Sequence, residues 1–174
     1  MSCFGLKGGI GSASRRIHLA DATYHLGVLV LANFGRAGDL QLPDGRRIDA
    51  EAPSAEAGSC IIIIATDVPL EHRQLGRVAR RAGVGLAWCG SFWGNGSGDI
   101  ALAFTTANRV PHEPQQDLIP CRVLAESRID ILFRAVAEAT QEAVLDALAA
   151  AETMVGWRGH RRAGLAEELG RRTV

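Results

Sequence analysis

Cys60–Ile64 is a run of five consecutive apolar residues, of which four are β-branched. This composition predicts a strand buried on both faces. Asp67 and Pro69 follow directly, and these residue types suit the cap and the first turn of a helix. The segment Leu70–Ala87 then carries an apolar stripe at helical spacing, with arginines on the other side. The centre of the chain therefore reads as strand, turn and helix.

The same patterning predicts further elements on either side of this centre. Apolar residues between Tyr24 and Asn33 indicate a strand that ends before Gly35. Another strand, Ile100–Thr106, follows a glycine-rich turn, and Arg128–Ala151 has the periodicity of a long helix. We interpret Arg36–Ala57 as a loop that contains a Pro-Asp-Gly turn, and the last residues as a basic tail. This order predicts a layered α/β protein with helices packed on sheets.

Length and composition place the chain among ordinary globular proteins. It has 174 residues, 47% apolar and 22% charged, and a formal net charge of zero. The balanced charge gives no reason to expect nucleic-acid or membrane partners. Four scattered cysteines without a CxxC pair indicate buried free thiols in a reducing, cytoplasmic setting: Cys3, Cys60, Cys89 and Cys121. No metal-ligand spacing is present, and we expect no metal or other cofactor.

The glycine-rich block near the start of the chain does not fit a nucleotide site. In a phosphate-binding loop the lysine follows the glycines, whereas Lys7 precedes Gly8 and Gly9. In a dinucleotide-binding loop Ser14 would have to be the third glycine. Both nucleotide interpretations are therefore disfavoured.

Ser59 stands where a polar loop enters the buried strand. Gly58, which precedes it, leaves room for a tight bend, so the hydroxyl can approach the preceding carbonyl. Cleavage of the bond between them would leave Ser59 with a hydroxyl nucleophile and its own α-amine. That amine titrates near ~7.7–8.0 and suits a general base. Taken alone, the local pattern favours an ordinary strand-start serine over a nucleophile.

Several blocks, in order, resemble the L-aminopeptidase/D-esterase family, which includes the β-peptidyl aminopeptidases. The blocks are Lys7–Arg15, Gly27–Gly35, the segment Gly58–Leu70, Arg80–Ala87 and Asn95–Asn108. The resemblance implies a protein made as one precursor that cleaves itself between Gly58 and Ser59. It also places the Gly8–Ser14 block in a loop near the active site.

The resemblance also implies roles for four residues. Ser59 is the expected nucleophile, and Asn33 matches the asparagine that stabilises the oxyanion. Ser97 and Asp99 match the second serine and the acid of the family's site, although the family often has glutamate in place of Asp99. Read without the resemblance, Asn33 is a turn-capping residue, and Ser97 and Asp99 belong to a hairpin turn.

The implied fold is a four-layer α/β/β/α sandwich, here N-terminally truncated relative to the family. Residues 1–58 would be the end of the α chain and residues 59–174 the β chain, in a homo-oligomer of processed chains. The implied activity is removal of N-terminal residues from small peptides, amides or esters through an acyl-enzyme. Two alternatives stay open: an acyltransferase like the ornithine acetyltransferases, against which Ser59 in place of threonine argues, and a non-catalytic module that needs a partner chain.

Overall fold

The computed structural model describes residues 1–20, 22–48, 50 and 58–171. Its strands are β1 (Ser2–Cys3), β2 (Leu6–Lys7), β3 (Ile10–Leu19), β4 (Ala22–Leu31), β5 (Leu40–Gln41), β6 (Arg47–Ile48), β7 (Ile61–Thr66), β8 (Ile100–Thr105), β9 (Met154–Val155) and β10 (Arg161–Arg162). Its α-helices are α1 (His72–Arg80), α2 (Ala82–Trp88), α3 (Asp130–Ala149) and α4 (Leu165–Arg171). The predicted strands β4, β7 and β8 and the long helix α3 are confirmed, with boundaries shifted by a few residues.

One sheet of four strands, in the order β3-β4-β7-β8, organises these elements. The pairs β3–β4 and β4–β7 are antiparallel, whereas β7 and β8 are parallel, with Ile61 opposite Ile100. Because β7 and β8 are parallel, the segments that lead into both strands meet at the same end of the sheet. Ser59 precedes one strand and Asp99 the other.

The helices cover one face of this sheet. Helix α3 lies against β3 and β4, α2 packs on α3, and α1 lies against β8. The side chains between sheet and helices are fully or almost fully buried, among them Val28, Val30, Ile62, Ile64, Val136 and Val144. The α/β class is thus confirmed, and the described residues supply one helical layer and the main sheet beneath it.

The opposite face of the sheet is apolar and open. Ile61 is 41% exposed, while its neighbour Ile62 on the helix side is 1% exposed. The prediction of a β7 strand buried on both faces is therefore wrong for the described residues. Other large apolar side chains on this face are also exposed: Ile10, Leu29, Ile100, Leu102 and Phe104. We refer to these residues and Ile61 as the open face. A second sheet of the predicted sandwich would lie there.

The turn after β7 differs from the prediction. Helix α1 begins at His72 after the N-cap Glu71, and the backbone N–H of Glu71 donates to Gln74 Oε1 at 3.4 Å. Asp67 does not cap this helix, because its carboxylate accepts the backbone N–H of His25 at 2.6 Å instead. The predicted single helix Leu70–Ala87 is divided into α1 and α2 at Arg81.

The block assigned to an active-site loop is largely strand β3. Gly11 lies so close to α3 that an added Cβ would come within 2.1 Å of the Ala143 carbonyl oxygen. Close packing on the helix therefore requires glycine at position 11. The loop prediction is wrong for residues 10–14, which are strand, whereas Gly8 and Gly9 lie outside β3 and beside Ala32, the residue that precedes Asn33.

Two segments predicted to be irregular contain local structure. The region after Gly35 includes the hairpin β5–β6, although residues 49 and 51–57 of that predicted loop lie outside the described residues. The predicted tail contains α4, whose Leu165 is buried in the core. Among the described residues, no helix is both long and apolar enough to cross a membrane.

Candidate active site

Ser59 lies at the end of the sheet where β7 begins. Its Oγ accepts a hydrogen bond from the backbone N–H of Gly98 at 3.1 Å. Gly58 and Ser97 form an isolated parallel bridge, which extends the β7–β8 pairing beyond the two strands. The parallel register therefore brings the predicted cleavage bond beside the glycine-rich turn that the sequence placed 38 residues later.

Ser97 and Asp99 form a polar pair beside the start of β7. Ser97 Oγ donates to Asp99 Oδ1 at 2.9 Å. The same carboxylate oxygen accepts the backbone N–H of Cys60 at 2.7 Å. Asp99 is half-buried, and these two bonds fix one carboxylate oxygen next to the residue that follows Ser59.

Asn33 lies on the other side of the predicted cleavage bond, two residues after β4 ends. A Cβ built on Gly58 would stand 2.1 Å from the Asn33 backbone oxygen and 3.0 Å from its side-chain Nδ2. Gly58 also has φ of +141°, a conformation that other residues rarely adopt. The close approach of Asn33 thus requires glycine before Ser59 and leaves an amide donor beside the Gly58 backbone.

The structure brings together all five residues that the sequence singled out. Gly58 and Ser59 lie at the centre, with Asn33 on one side and the Ser97–Asp99 pair on the other. Their catalytic roles stay predictions.

Behind the site the protein is apolar. Cys3, Cys60 and Cys89 are completely buried and unpaired, as predicted, whereas Cys121 is exposed and departs from the prediction. Burial, followed by the nearby Asp99 and Cys89, raises the pKa of the Cys60 thiol to about 12. Cys60 is therefore a neutral thiol near pH 7 and serves as packing. Within the described residues no group of His, Cys, Asp or Glu side chains could hold a metal ion.

Two contributors to the site escaped the sequence analysis. The backbone N–H of Gly98 contacts Ser59 Oγ, and the backbone N–H of Ser2 donates to Asn33 Oδ1 at 3.0 Å. Both donors are backbone N–H groups, and the side chains of Gly98 and Ser2 do not indicate that their main chains contact the site. They become visible only from the β7–β8 register and from the packing of β1 and β2, an antiparallel hairpin, against the segment that carries Asn33.

The chain is similar to known proteins in both sequence and structure. The profile of Peptidase family S58 matches residues 1–162. The chain is 35% identical over 179 aligned residues to the β-peptidyl aminopeptidase BapA of Sphingosinicella microcystinivorans, covering 92% of this chain and 45% of that protein. It thus spans less than half the length of this curated relative.

Solved structures match across nearly the whole chain. A protein from Pyrococcus horikoshii is 47% identical with a TM-score of 0.86, covering 98% of this chain and 48% of the other. The L-aminopeptidase D-Ala-esterase/amidase of Ochrobactrum anthropi, described as a prototype of the serine aminopeptidases and a variant of the Ntn hydrolase fold, is 35% identical with a TM-score of 0.84. That match covers 97% of this chain and 48% of the other. With the family profile extending from residue 1 to residue 162, the chain belongs to Peptidase family S58.

Proposed function

We propose that this chain carries the processing and catalytic half of a serine aminopeptidase that cleaves its own backbone between Gly58 and Ser59. The observation that supports this most directly is the placement of Ser59 Oγ. A backbone N–H holds it at 3.1 Å, next to a glycine that has an amide donor on its far side. A nucleophile, a carbonyl and an oxyanion donor are the parts that acyl transfer needs.

The first step of the proposed reaction is an acyl shift. Ser59 Oγ attacks the carbonyl carbon of Gly58 and loses its proton, and the carbonyl oxygen becomes an oxyanion beside Asn33 Nδ2. Collapse breaks the bond to the Ser59 nitrogen, which takes up the proton that the hydroxyl released, and leaves an ester between Gly58 and Ser59 Oγ. Water then hydrolyses the ester to a Gly58 carboxylate and a free Ser59 hydroxyl.

The second step uses the new N-terminus. The α-amine of Ser59 accepts the proton of its own hydroxyl as that hydroxyl attacks a substrate carbonyl, and water later releases the acyl group. Ser97 relays a hydrogen bond to Ser59, and Asp99 orients Ser97 through the 2.9 Å bond. The relatives are named for β-peptidyl, L-aminoacyl and D-Ala ester or amide substrates, so small aminoacyl amides and esters are the substrates to screen. We further propose a homo-oligomer of processed chains and a cytoplasmic location.

The deciding experiment is the intact mass of the purified protein, followed over time. Wild type should yield two fragments that meet between Gly58 and Ser59, and Ser59→Ala should stay whole. Ser14→Ala, at an exposed position of β3, is the matched control and should process like wild type. Fragments that persist in Ser59→Ala would assign the cut to a contaminating protease and refute self-processing.

A second candidate is a module that is silent until another chain segment joins it. The open face favours this, because six large apolar side chains there have no cover in the described residues. An uncut wild-type chain that processes once the remaining half of a full-length relative is supplied would support this candidate.

A further inference from the structure

The side chain of Asn33 can stand in two orientations that differ by exchange of its amide nitrogen and oxygen. Only the orientation with Nδ2 toward Gly58 offers a donor to an oxyanion; the other presents an oxygen, which repels it. The two orientations have nearly the same shape. The neighbouring hydrogen bonds must therefore decide which one the protein adopts.

The backbone N–H of Ser2 selects the orientation that turns Nδ2 of Asn33 toward Gly58. It lies 3.0 Å from Asn33 Oδ1, and a peptide N–H can only donate. In the exchanged orientation Asn33 Nδ2 would face the Ser2 N–H, and these two donors would repel each other. Ser2 pairs with Lys7 across the first hairpin, while the backbone N–H of Gly8 donates to the Met1 carbonyl at 3.1 Å. The Ser2 N–H thus points away from the partner strand β2 and donates its hydrogen bond to Asn33 instead.

The first hairpin is itself fixed to the segment that carries Asn33. The backbone N–H of Phe4 donates to the Phe34 carbonyl at 2.9 Å, and the two rings meet edge to face at 5.2 Å. Both rings are almost completely buried. Gly35 allows this contact, because a Cβ there would lie 2.6 Å from the Phe4 ring. The distance between Ser2 and Asn33 is therefore held by the core.

We propose that the hairpin β1–β2 is a positioning element for the oxyanion donor, acting through the backbone N–H of Ser2 on Asn33. The proposal rests on the proposed function, since it assigns Asn33 the role of donor. It adds that residues outside the cleavage region, without reactive side chains, set the rate by holding one amide in one orientation.

The test compares Ser2→Pro with Ser2→Ala in the intact chain. Proline removes the N–H, whereas alanine keeps it and removes only the hydroxyl. Ser2→Ala should process at the wild-type rate. Ser2→Pro should slow processing at least about tenfold, up to the ~10²–10³-fold that loss of an oxyanion donor causes. In the processed enzyme the loss should fall on kcat with KM unchanged, and both variants should remain folded at the assay temperature.

A double variant separates positioning from general damage. Adding Ser2→Pro to Asn33→Ala should cause no further loss of rate, because the amide to be oriented is already absent. The proposal would be overturned if Ser2→Ala and Ser2→Pro slowed processing equally, or if Ser2→Pro processed at the wild-type rate. It would also be overturned if the losses of rate in the double variant were additive.

Amide hydrogen exchange tests the contact without any activity. In uncleaved Ser59→Ala protein, the Ser2 N–H should be protected, and adding Asn33→Ala should remove that protection while the Gly8 N–H stays protected. An unprotected Ser2 N–H, or one indifferent to Asn33→Ala, would overturn the proposal. This measurement decides the question even if wild type does not process or Ser2→Pro does not fold, so failure of the proposed function remains distinguishable.

Discussion

Asp99 is bonded across the sheet to the residue that follows the predicted nucleophile: its Oδ1 accepts the backbone N–H of Cys60 at 2.7 Å. The same oxygen accepts the Ser97 hydroxyl at 2.9 Å. One carboxylate oxygen therefore joins the start of β7, the turn before β8 and the second serine. Structure and proposed chemistry depend on the same atom.

Two substitutions of Asp99 should separate these functions. Asp99→Asn keeps an acceptor for Cys60 N–H and loses the charge, so stability should stay within about 0.5 kcal/mol of wild type while turnover falls about 10²-fold. Asp99→Ala leaves the Cys60 N–H without its acceptor and should cost about 1–3 kcal/mol of unfolding free energy. Urea unfolding measures the stability of both variants, and the rate at which the processed enzyme hydrolyses an aminoacyl amide measures turnover. A fully active Asp99→Asn would remove Asp99 from the proposed chemistry.

Gly58→Ala should abolish self-processing. An added Cβ would overlap the Asn33 carbonyl oxygen at 2.1 Å, and the φ of +141° disfavours any side chain. The backbone must therefore move, and the Gly58 carbonyl with it.

Gly76→Ala is the matched control, because Gly76 lies in α1 with nothing within 4 Å of the added Cβ. It should process normally and gain about 0.8–1.0 kcal/mol from helix propensity. Intact mass and thermal unfolding report both variants. Normal processing by Gly58→Ala would mean that the approach to Asn33 is irrelevant to the cut.

The sequence predicted the elements whose apolar pattern is strong. Strands β7 and β8 and helix α3 follow from runs or stripes of large apolar residues. Strand β3 does not, because it is an edge strand that meets α3 through Gly11 and Ala13, small residues that carry no periodic signal. Its remaining positions include arginines and serines that face solvent or α3.

The candidate site likewise contains residues that the sequence predicted and groups that it did not. Ser59, Ser97, Asp99 and Asn33 were predicted because their side chains carry chemistry and because the chain resembles a known family. The donors on Gly98 and Ser2 could not be predicted, since a backbone N–H acquires a partner only through tertiary register. Asp67 shows the opposite case. Its residue type and position suit a helix cap, but its carboxylate accepts the backbone N–H of His25, 42 positions earlier in the chain.

Gly11→Ala should destabilise the protein strongly. The added Cβ would meet backbone atoms of α3, with the Ala143 oxygen at 2.1 Å and the Ala147 nitrogen at 2.4 Å. The helix must move away from the sheet, and we expect a loss of about 1–3 kcal/mol or more.

Gly27→Ala provides the control, because Gly27 lies in the adjacent strand with nothing within 4 Å. It should change the unfolding free energy by less than about 1 kcal/mol. Urea unfolding of both variants would make the comparison. Equal stabilities would contradict the close packing of β3 on α3.

Thiol labelling should distinguish the four cysteines. Alkylation requires the thiolate, and burial raises the pKa of Cys60 and Cys89 to about 12 and that of Cys3 well above its ordinary value. At pH 8 iodoacetamide should therefore modify native protein only at the exposed Cys121, and all four sites in urea. Because these pKa values are raised on folding, their contribution to stability is present below about pH 8.5 and is lost as pH rises toward 12. Native labelling of Cys60, read by peptide mass, would contradict the buried cluster.

The same substitution at Leu102 and at Ile62 should affect stability differently, because the two residues lie on opposite faces of the sheet. Leu102 is 58% exposed on the open face and Ile62 is 1% exposed under the helices. In this chain alone, Leu102→Ser should change stability by no more than about 0.5 kcal/mol and reduce binding of a hydrophobic dye. Ile62→Ser should cost at least about 2–4 kcal/mol, because it removes buried apolar volume.

The size of the Leu102→Ser effect should increase when the remaining half of the sandwich is present. A second sheet packed on the open face would bury Leu102, so Leu102→Ser should then weaken the association or the stability of the longer assembly by about 2 kcal/mol or more. Urea unfolding of the chain with and without the added half measures this difference. If Leu102→Ser is neutral in both, the open face is not where the other half packs.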